Sequence, residues 1–287
     1  MTGAPGPDGV LLIDKPAGLT SHAVVDRVRR ATRVKRIGHG GTLDPFATGL
    51  LTLLLGRATR LLPFLVSDPK VYRATVRFGT ATDTDDLTGD VIREAPLPEP
   101  ARVDDAIRSL TGRIRQRPPA FSAKLKDGVR AYAAARRGKP LKLEPVEVVV
   151  HSWRVTRASA AELEVDVTCG GGTYVRALAR DLGEAAGSAA HLTALRRLRD
   201  GAFDVDDAQP LDAIERDGAA IRPAVQAVAH LARQPLEDVD AELVVHGRAV
   251  AARVDGDHAA LTHAGALLAV AVREGGTWRP KVVMRDA

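Results

Sequence analysis

Between residues 71 and 78 apolar and polar positions alternate, with Tyr72, Ala74, Val76 and Phe78 on one side and Arg73, Thr75 and Arg77 on the other. A period of two predicts a half-buried strand, and Gly79 ends it. Residues 10–13 form a shorter apolar run, stopped by the turn signal Asp14-Lys15-Pro16-Ala17-Gly18. Thr20 or Ser21 can then cap a helix on which Val24, Val25 and Val28 share a face while Arg27, Arg30 and Arg33 lie toward another. Residues 50–55 are leucine at every position but Thr52, the mark of a buried strand or a helix start, closed by Gly56 and followed by a short helix over 58–66. Further helices are predicted over 103–110, 130–137 and 174–182, and strands over 146–150, 155–156 and 163–169. Gly170-Gly171-Gly172 makes a sharp connection into the last of those helices.

Strands and helices mix without a repeating βαβ rhythm, which predicts an α+β fold with a mixed sheet. The pattern places a large domain over 10–211, after a frayed tail at 1–9. A helical or linking stretch over 212–232 leads to a small β-rich domain over 233–287. Short strand candidates at 242–250, 259–262, 266–273 and 281–284, punctuated by glycines, define that second domain.

Composition narrows the class. With 287 residues, 45% apolar and 27% charged, the chain is expected to bury a real core and fold as an ordinary water-soluble protein. Its single cysteine, Cys169, rules out an internal disulfide and reads as a small core residue. The eight histidines never fall at a metal-ligand spacing, so no metal is expected. Neither a secretory signal nor an apolar run long enough to span a membrane is visible, and the cytoplasm is the expected compartment.

Charge is unevenly placed. The net charge is +5, and Arg27, Arg29, Arg30, Arg33, Lys35 and Arg36 crowd together ahead of a glycine-rich loop. A second basic region runs from Arg113 through Arg137 to Lys142, whereas residues 201–257 hold twelve acids against five Lys or Arg. Either cluster alone is an ordinary solvated face, but two of them bracketing one loop point to a bound polyanion, with phosphates releasing counterions to the cations.

That loop, Gly38-His39-Gly40-Gly41-Thr42-Leu43-Asp44-Pro45, puts a carboxylate and an imidazole on backbone of little bulk, which predicts close approach by a large ligand. Pro45 biases Asp44 toward extended dihedrals, fixing where the carboxylate sits. No phosphate loop of the Gly-x-x-x-x-Gly-Lys type and no dinucleotide fingerprint is present, which disfavours ATP and NAD enzymes. Carboxylate chemistry without a cofactor is what remains.

Five motifs then carry a resemblance. Asp14-Lys15-Pro16, the loop through Asp44-Pro45, Lys70-Val71-Tyr72-Arg73 with Thr82-Asp83-Thr84-Asp85-Asp86, Pro118-Pro119-Ala120-Phe121-Ser122-Ala123, and Gly172-Thr173-Tyr174-Val175-Arg176 are similar, in order and spacing, to those of the bacterial tRNA pseudouridine-55 synthases, the TruB family. The resemblance runs from about Gly9 to Leu211. It implies a pseudouridine synthase catalytic domain that isomerises the uridine at position 55, in the TΨC arm of tRNA. The partner is then tRNA, and neither a cofactor nor a membrane is involved; a monomer is expected.

The resemblance also implies roles. Asp44 matches the catalytic aspartate, acting as nucleophile or base at ribose or uracil. Tyr72 matches the tyrosine stacked on the flipped base, and Arg176 the arginine paired with the catalytic carboxylate. Tyr174 matches a base-pocket residue, His39 the residue that fills the gap left in the RNA stack, Leu195 an apolar contact beneath the uracil, and Asp86 an acid that organises the pocket. Arg29, Arg30 and Arg33 are the expected phosphate contacts. Phe121 departs from the pattern by standing where tyrosine is frequent. The C-terminal segment is similar, more weakly, to a PUA-like RNA-binding domain through Gly247-Arg248 and Gly265-Ala266-Leu267-Leu268-Ala269. The competing reading is an RNA-binding or RNA-folding protein that keeps the same fold without catalysis.

Overall fold

A computed structural model describes residues 7–122, 124–126, 128–139 and 141–284. The chain divides into two compact units. One is built from the chain up to Pro45, Leu50–Val66 and the chain from Val205 onward; the other from Phe46–Gly49 and Ser67–Asp204.

In the first unit the strand Gly9–Lys15 lies between the strand Thr48–Leu55, whose first two residues belong to the other unit, and the short parallel strand Gln209–Pro210. The strand Ile37–His39 pairs antiparallel with residues 53–55. Apolar runs in both long strands are continuous because the strands are buried, and Leu11, Ile13, Leu51, Leu53 and Leu54 are fully enclosed. The helix Ser21–Thr32 starts where Thr20 Oγ1 accepts a hydrogen bond from the Ala23 N–H, as its sequence predicts. Of the expected tail, residues 1–6 lie outside the described residues, and Asp8 already accepts a hydrogen bond from the Arg57 N–H at 2.6 Å.

The C-terminal part of this unit is a five-stranded sheet in the order Ala232–Pro235, His258–His263, Ala266–Glu274, Thr277–Val283, Val250–Ala251. Trp278 is fully buried there and its indole N–H donates to Gln234 Oε1 at 2.9 Å. Where a strand is expected at 242–250, residues 242–245 instead end the helix Asp238–Val245 and only Val250 lies in a strand. The run Leu243-Val244-Val245 favours a strand locally, but Ala241 and Val244, three apart, both face the core. That helical spacing overrides the β-branched preference.

In the second unit five antiparallel strands follow the order Ala190–Asp200, Lys70–Phe78, Glu162–Cys169, Val146–Ala158, Gly112–Gln116. The two strands expected at 146–150 and 155–156 are one strand with two irregularities in register. Tyr72, Ala74, Val76 and Phe78 are all buried, as the alternation predicts. The helix Val175–Ala185 packs over this face, contacting both Ala190–Asp200 and Lys70–Phe78. Among the described residues no helix is long and apolar enough to cross a membrane.

Candidate active site

In the first unit the loop is fixed on both sides of Asp44. The buried Ser21 hydroxyl accepts from the Leu43 N–H at 2.9 Å and donates to the Leu43 carbonyl at 3.2 Å. On the other side the Pro45 carbonyl accepts from the Gly18 N–H at 2.7 Å and from Lys15 Nζ at 3.2 Å. Lys15 is fully buried and donates also to the carbonyls of Pro16 and Leu19, at 2.9 and 2.7 Å. Asp44 itself is half-buried between these locked neighbours. His39 lies on the Ile37–His39 strand, also half-buried.

Two glycines of this loop make room for the protein itself. A Cβ on Gly38 would lie 2.7 Å from Leu62 Cδ1, and one on Gly40 2.4 Å from Leu65 Cδ2, so their missing side chains admit leucines of the same unit.

Burial pushes the Lys15 ammonium down to about 8, against the pull of the Asp44 charge. Between about pH 8 and 10.5 the folded chain holds fewer protons at this site than the unfolded chain, so stability rises with pH across that window. Lys15→Met is expected to abolish the rise. It should also cost about 1–3 kcal/mol near neutral pH by leaving enclosed carbonyls without a donor. Urea midpoints at pH 7.5 and 10 measure both effects; a variant with the wild-type stability and pH slope would remove Lys15 from this role.

In the second unit Arg176, 4% exposed, sits in the first turn of the Val175–Ala185 helix. It donates to the carbonyls of Thr84 and Phe121, both at 2.9 Å, and its Nε lies 3.7 Å from Asp86 Oδ2. Asp86 is buried and fixed by the Thr84 hydroxyl and by the N–H and hydroxyl of Thr88, so the acidic turn forms a cradle for the guanidinium. One helical turn on, Arg180 Nη1 donates to Asp85 Oδ2 at 2.9 Å. Burial pushes Asp85 up to about 6 in spite of Arg180 and Arg176. Two arginines on one helix face thus clamp adjacent carboxylates of one turn.

Tyr174 precedes the helix, its N–H donating to Gln116 Oε1 at 2.8 Å and its carbonyl accepting from Gln116 Nε2 at 3.1 Å. Leu195 pairs with Ala74 and Arg197 with Tyr72, which makes Leu195 and Tyr72 diagonal neighbours on the buried face. Gly49, at the start of the Thr48–Leu55 strand, tolerates no side chain. Its φ is +97°, and a Cβ would strike the Arg197 carbonyl oxygen at 2.3 Å.

The basic cluster on the Ser21–Thr32 helix is partly spoken for. Arg27 forms a two-point pair with Glu215, and Arg29 pairs with Asp26. Arg30, Arg33, Lys35 and Arg36 are exposed. In the second basic region Arg113 pairs with Glu147 at 2.9 Å. Part of the expected motif at 118–123 and of the lysine pattern after it lies outside the described residues.

Two family models match the chain. Residues 29–175 match the TruB family pseudouridylate synthase N-terminal domain, and residues 176–238 the tRNA pseudouridylate synthase B C-terminal domain. A tRNA pseudouridine synthase B from Mycobacterium tuberculosis (strain ATCC 25618 / H37Rv) is 40% identical over 292 residues, spanning 99% of this chain and 98% of that protein. The chain belongs to the TruB family of pseudouridylate synthases. A second member, from Thermobifida fusca (strain YX), is 42% identical, over 96% of this chain and 98% of its own. Among solved structures, a Cbf5-Nop10-Gar1 complex contains a chain with a TM-score of 0.72 and 27% identity, spanning 97% of this chain and 85% of that one. Membership makes the protein an RNA-modifying isomerase that converts uridine to pseudouridine.

The sequence points to Asp44 in the first unit and to Tyr72 and Arg176 in the second, but to none of the residues that hold each of them. Ser21 looked like a helix cap and Lys15 like part of a turn; Arg197 and Asp200 carried no signal beyond their charge.

Proposed function

We propose that the substrate is the uridine at position 55 in the TΨC arm of tRNA, with Asp44 as the catalytic carboxylate. The observation that carries this reading is the locking of Leu43 and Pro45 around a half-exposed Asp44. An aspartate in an ordinary turn has no need of a buried lysine and a buried serine to hold its flanks. A catalyst does, because a displacement of about 1 Å can cost about 10²-fold in rate.

The reaction breaks the N1–C1′ bond, turns the uracil, and joins C5 to C1′; one proton leaves C5 and one arrives at N1. Composition and oxidation state do not change, so the chemistry calls for no cofactor. Tyr72 and Leu195 bracket the base, Tyr174 lines its pocket, and Arg176, held by Asp86, supplies a fixed positive charge to that pocket. Turning the nucleotide out of the folded loop costs a few kcal/mol, which stacking and phosphate contacts offset, with His39 filling the gap in the stack. Arg29, Arg30 and Arg33 grip phosphates. The segment 233–287 adds an accessory hold on RNA, and the protein works as a monomer in the cytoplasm.

A T-arm stem-loop and an anticodon stem-loop, each incubated alone with the protein, test the substrate assignment. Pseudouridine is expected in the first only; formation in the second alone would contradict it. Binding should also weaken steeply with salt, and neutralising Arg29, Arg30 and Arg33 together should flatten the slope by about 2 to 3. Because Arg29 is paired with Asp26, Arg30 and Arg33 are expected to contribute most of the change. An unchanged slope would take the cluster out of the interface.

A further inference from the structure

Arg197 is 1% exposed in the Ala190–Asp200 strand, where a guanidinium without partners would be costly. Register pairs it directly with Tyr72 on the neighbouring strand, both side chains on the buried face. The guanidinium hydrogen-bonds the phenol. Arginine has only donors, so in that contact the Tyr72 oxygen accepts and the phenolic proton remains available for another partner.

An irregularity at Leu198 shifts the register between Arg197 and Arg199 and brings Asp200 opposite Lys70. The bulge therefore turns Asp200, 2% exposed, onto the same face as Arg197. Lys70 Nζ lies 3.8 Å from Asp200 Oδ1. The nearby Cys169 thiol, pushed up to about 11 by burial, stays uncharged. The Lys70–Asp200 pair thus sits on the same strand face as the Tyr72 phenol and Arg197. Burial pushes that phenol up to about 12 in spite of Arg197, so at neutral pH Tyr72 begins the reaction with its proton in place.

We propose that Arg197 is a positioning residue that acts through Tyr72, holding the phenol oxygen so that the hydroxyl can relay a proton from C5 to N1 of the uracil once C5 has bonded to C1′. The inference rests on the reading that Tyr72 faces the flipped base. Once C5 is joined to C1′, the ring carries one proton too many at C5 and lacks one at N1. The Tyr72 hydroxyl gives its proton to N1, and the resulting phenolate removes the proton from C5 and is a phenol again. One proton moves, and no co-reactant is consumed. Arg197 supplies the charge that the phenolate needs between the two transfers.

Single-turnover rates on an unmodified tRNA transcript test this with Arg197→Lys, Arg197→Met, Tyr72→Phe and the double variant Tyr72→Phe with Arg197→Lys. Each Arg197 variant is expected to lower the rate about 10²-fold with tRNA affinity unchanged. The double variant should be no slower than Tyr72→Phe alone. Losses that multiply would overturn the proposal, since a residue acting only through Tyr72 has nothing left to lose. A second readout uses the wild-type fold. The Raman difference spectrum between wild type and Tyr72→Phe isolates this one phenol, and its Fermi doublet should have the intensity pattern of a hydrogen-bond acceptor; a donor pattern would overturn the proposal even if the Arg197 variants fail to fold. A wild type that makes no pseudouridine, or a Tyr72→Phe variant at full rate, sinks the reading of the site itself. A slow Tyr72→Phe with multiplying losses sinks only the role of Arg197.

Discussion

Asp44→Asn is expected to lower the single-turnover rate of pseudouridine formation by at least about 10⁴-fold while leaving tRNA affinity and folding close to wild type. The amide has nearly the shape of the carboxylate, and the anchors of the loop do not depend on its charge. Ser21 holds the backbone of Leu43, while Gly18 and Lys15 hold the carbonyl of Pro45. What the substitution removes is the anionic oxygen, whether it attacks carbon or takes a proton. Affinity, which depends on phosphates and stacking, should stay. Rapid-quench rates and filter binding separate the two quantities. Normal turnover would show that the loop is only a turn, and lost binding would make Asp44 an RNA contact and not a catalyst.

Arg176→Met is expected to cost more in stability and somewhat less in rate. The guanidinium has 4% exposure, bridges the carbonyls of Thr84 and Phe121, and is the ion-pair partner of the buried Asp86. Removing one member of a buried pair leaves the other charge uncompensated, at about 3–5 kcal/mol. The rate should fall about 10²- to 10³-fold, on the scale of losing one oriented electrostatic contact. Arg176→Lys keeps the charge but, being a point cation on a flexible stem, cannot span two carbonyls and a carboxylate together. It should fold better than Arg176→Met and still be slow. Thermal unfolding beside single-turnover rates checks this, and a fast, stable Arg176→Met would make the arginine ornamental.

Much of this fold is legible in the sequence where one force acts alone. The 71–78 alternation, the valine face of the Ser21–Thr32 helix and the apolar runs of the Gly9–Lys15 and Thr48–Leu55 strands all report burial, and each element formed. The strand Ala190–Asp200 was not legible. The face that carries Leu192 and Leu195 also carries Arg197 and Asp200, His191 is buried on the other face, and register breaks at Thr193 and Leu198 each reset the alternation. Charges buried because they have partners look, in one dimension, like charges on a surface. The same limit hides the supports of the site. Asp44, Tyr72 and Arg176 stand in recognisable motifs, whereas the link of Lys15 to Pro45 spans 30 positions and that of Arg197 to Tyr72 joins two separate strands.

The central claim is that one carboxylate, on a loop locked at both flanks, isomerises one uridine. A chemical map of pseudouridine over a whole unmodified tRNA transcript, treated in parallel with wild type and Asp44→Asn, tests it most directly. The account predicts a single modified residue, at position 55 of the T arm, with wild type and none with the variant. Modification elsewhere in the tRNA, or the same map from both proteins, would contradict it.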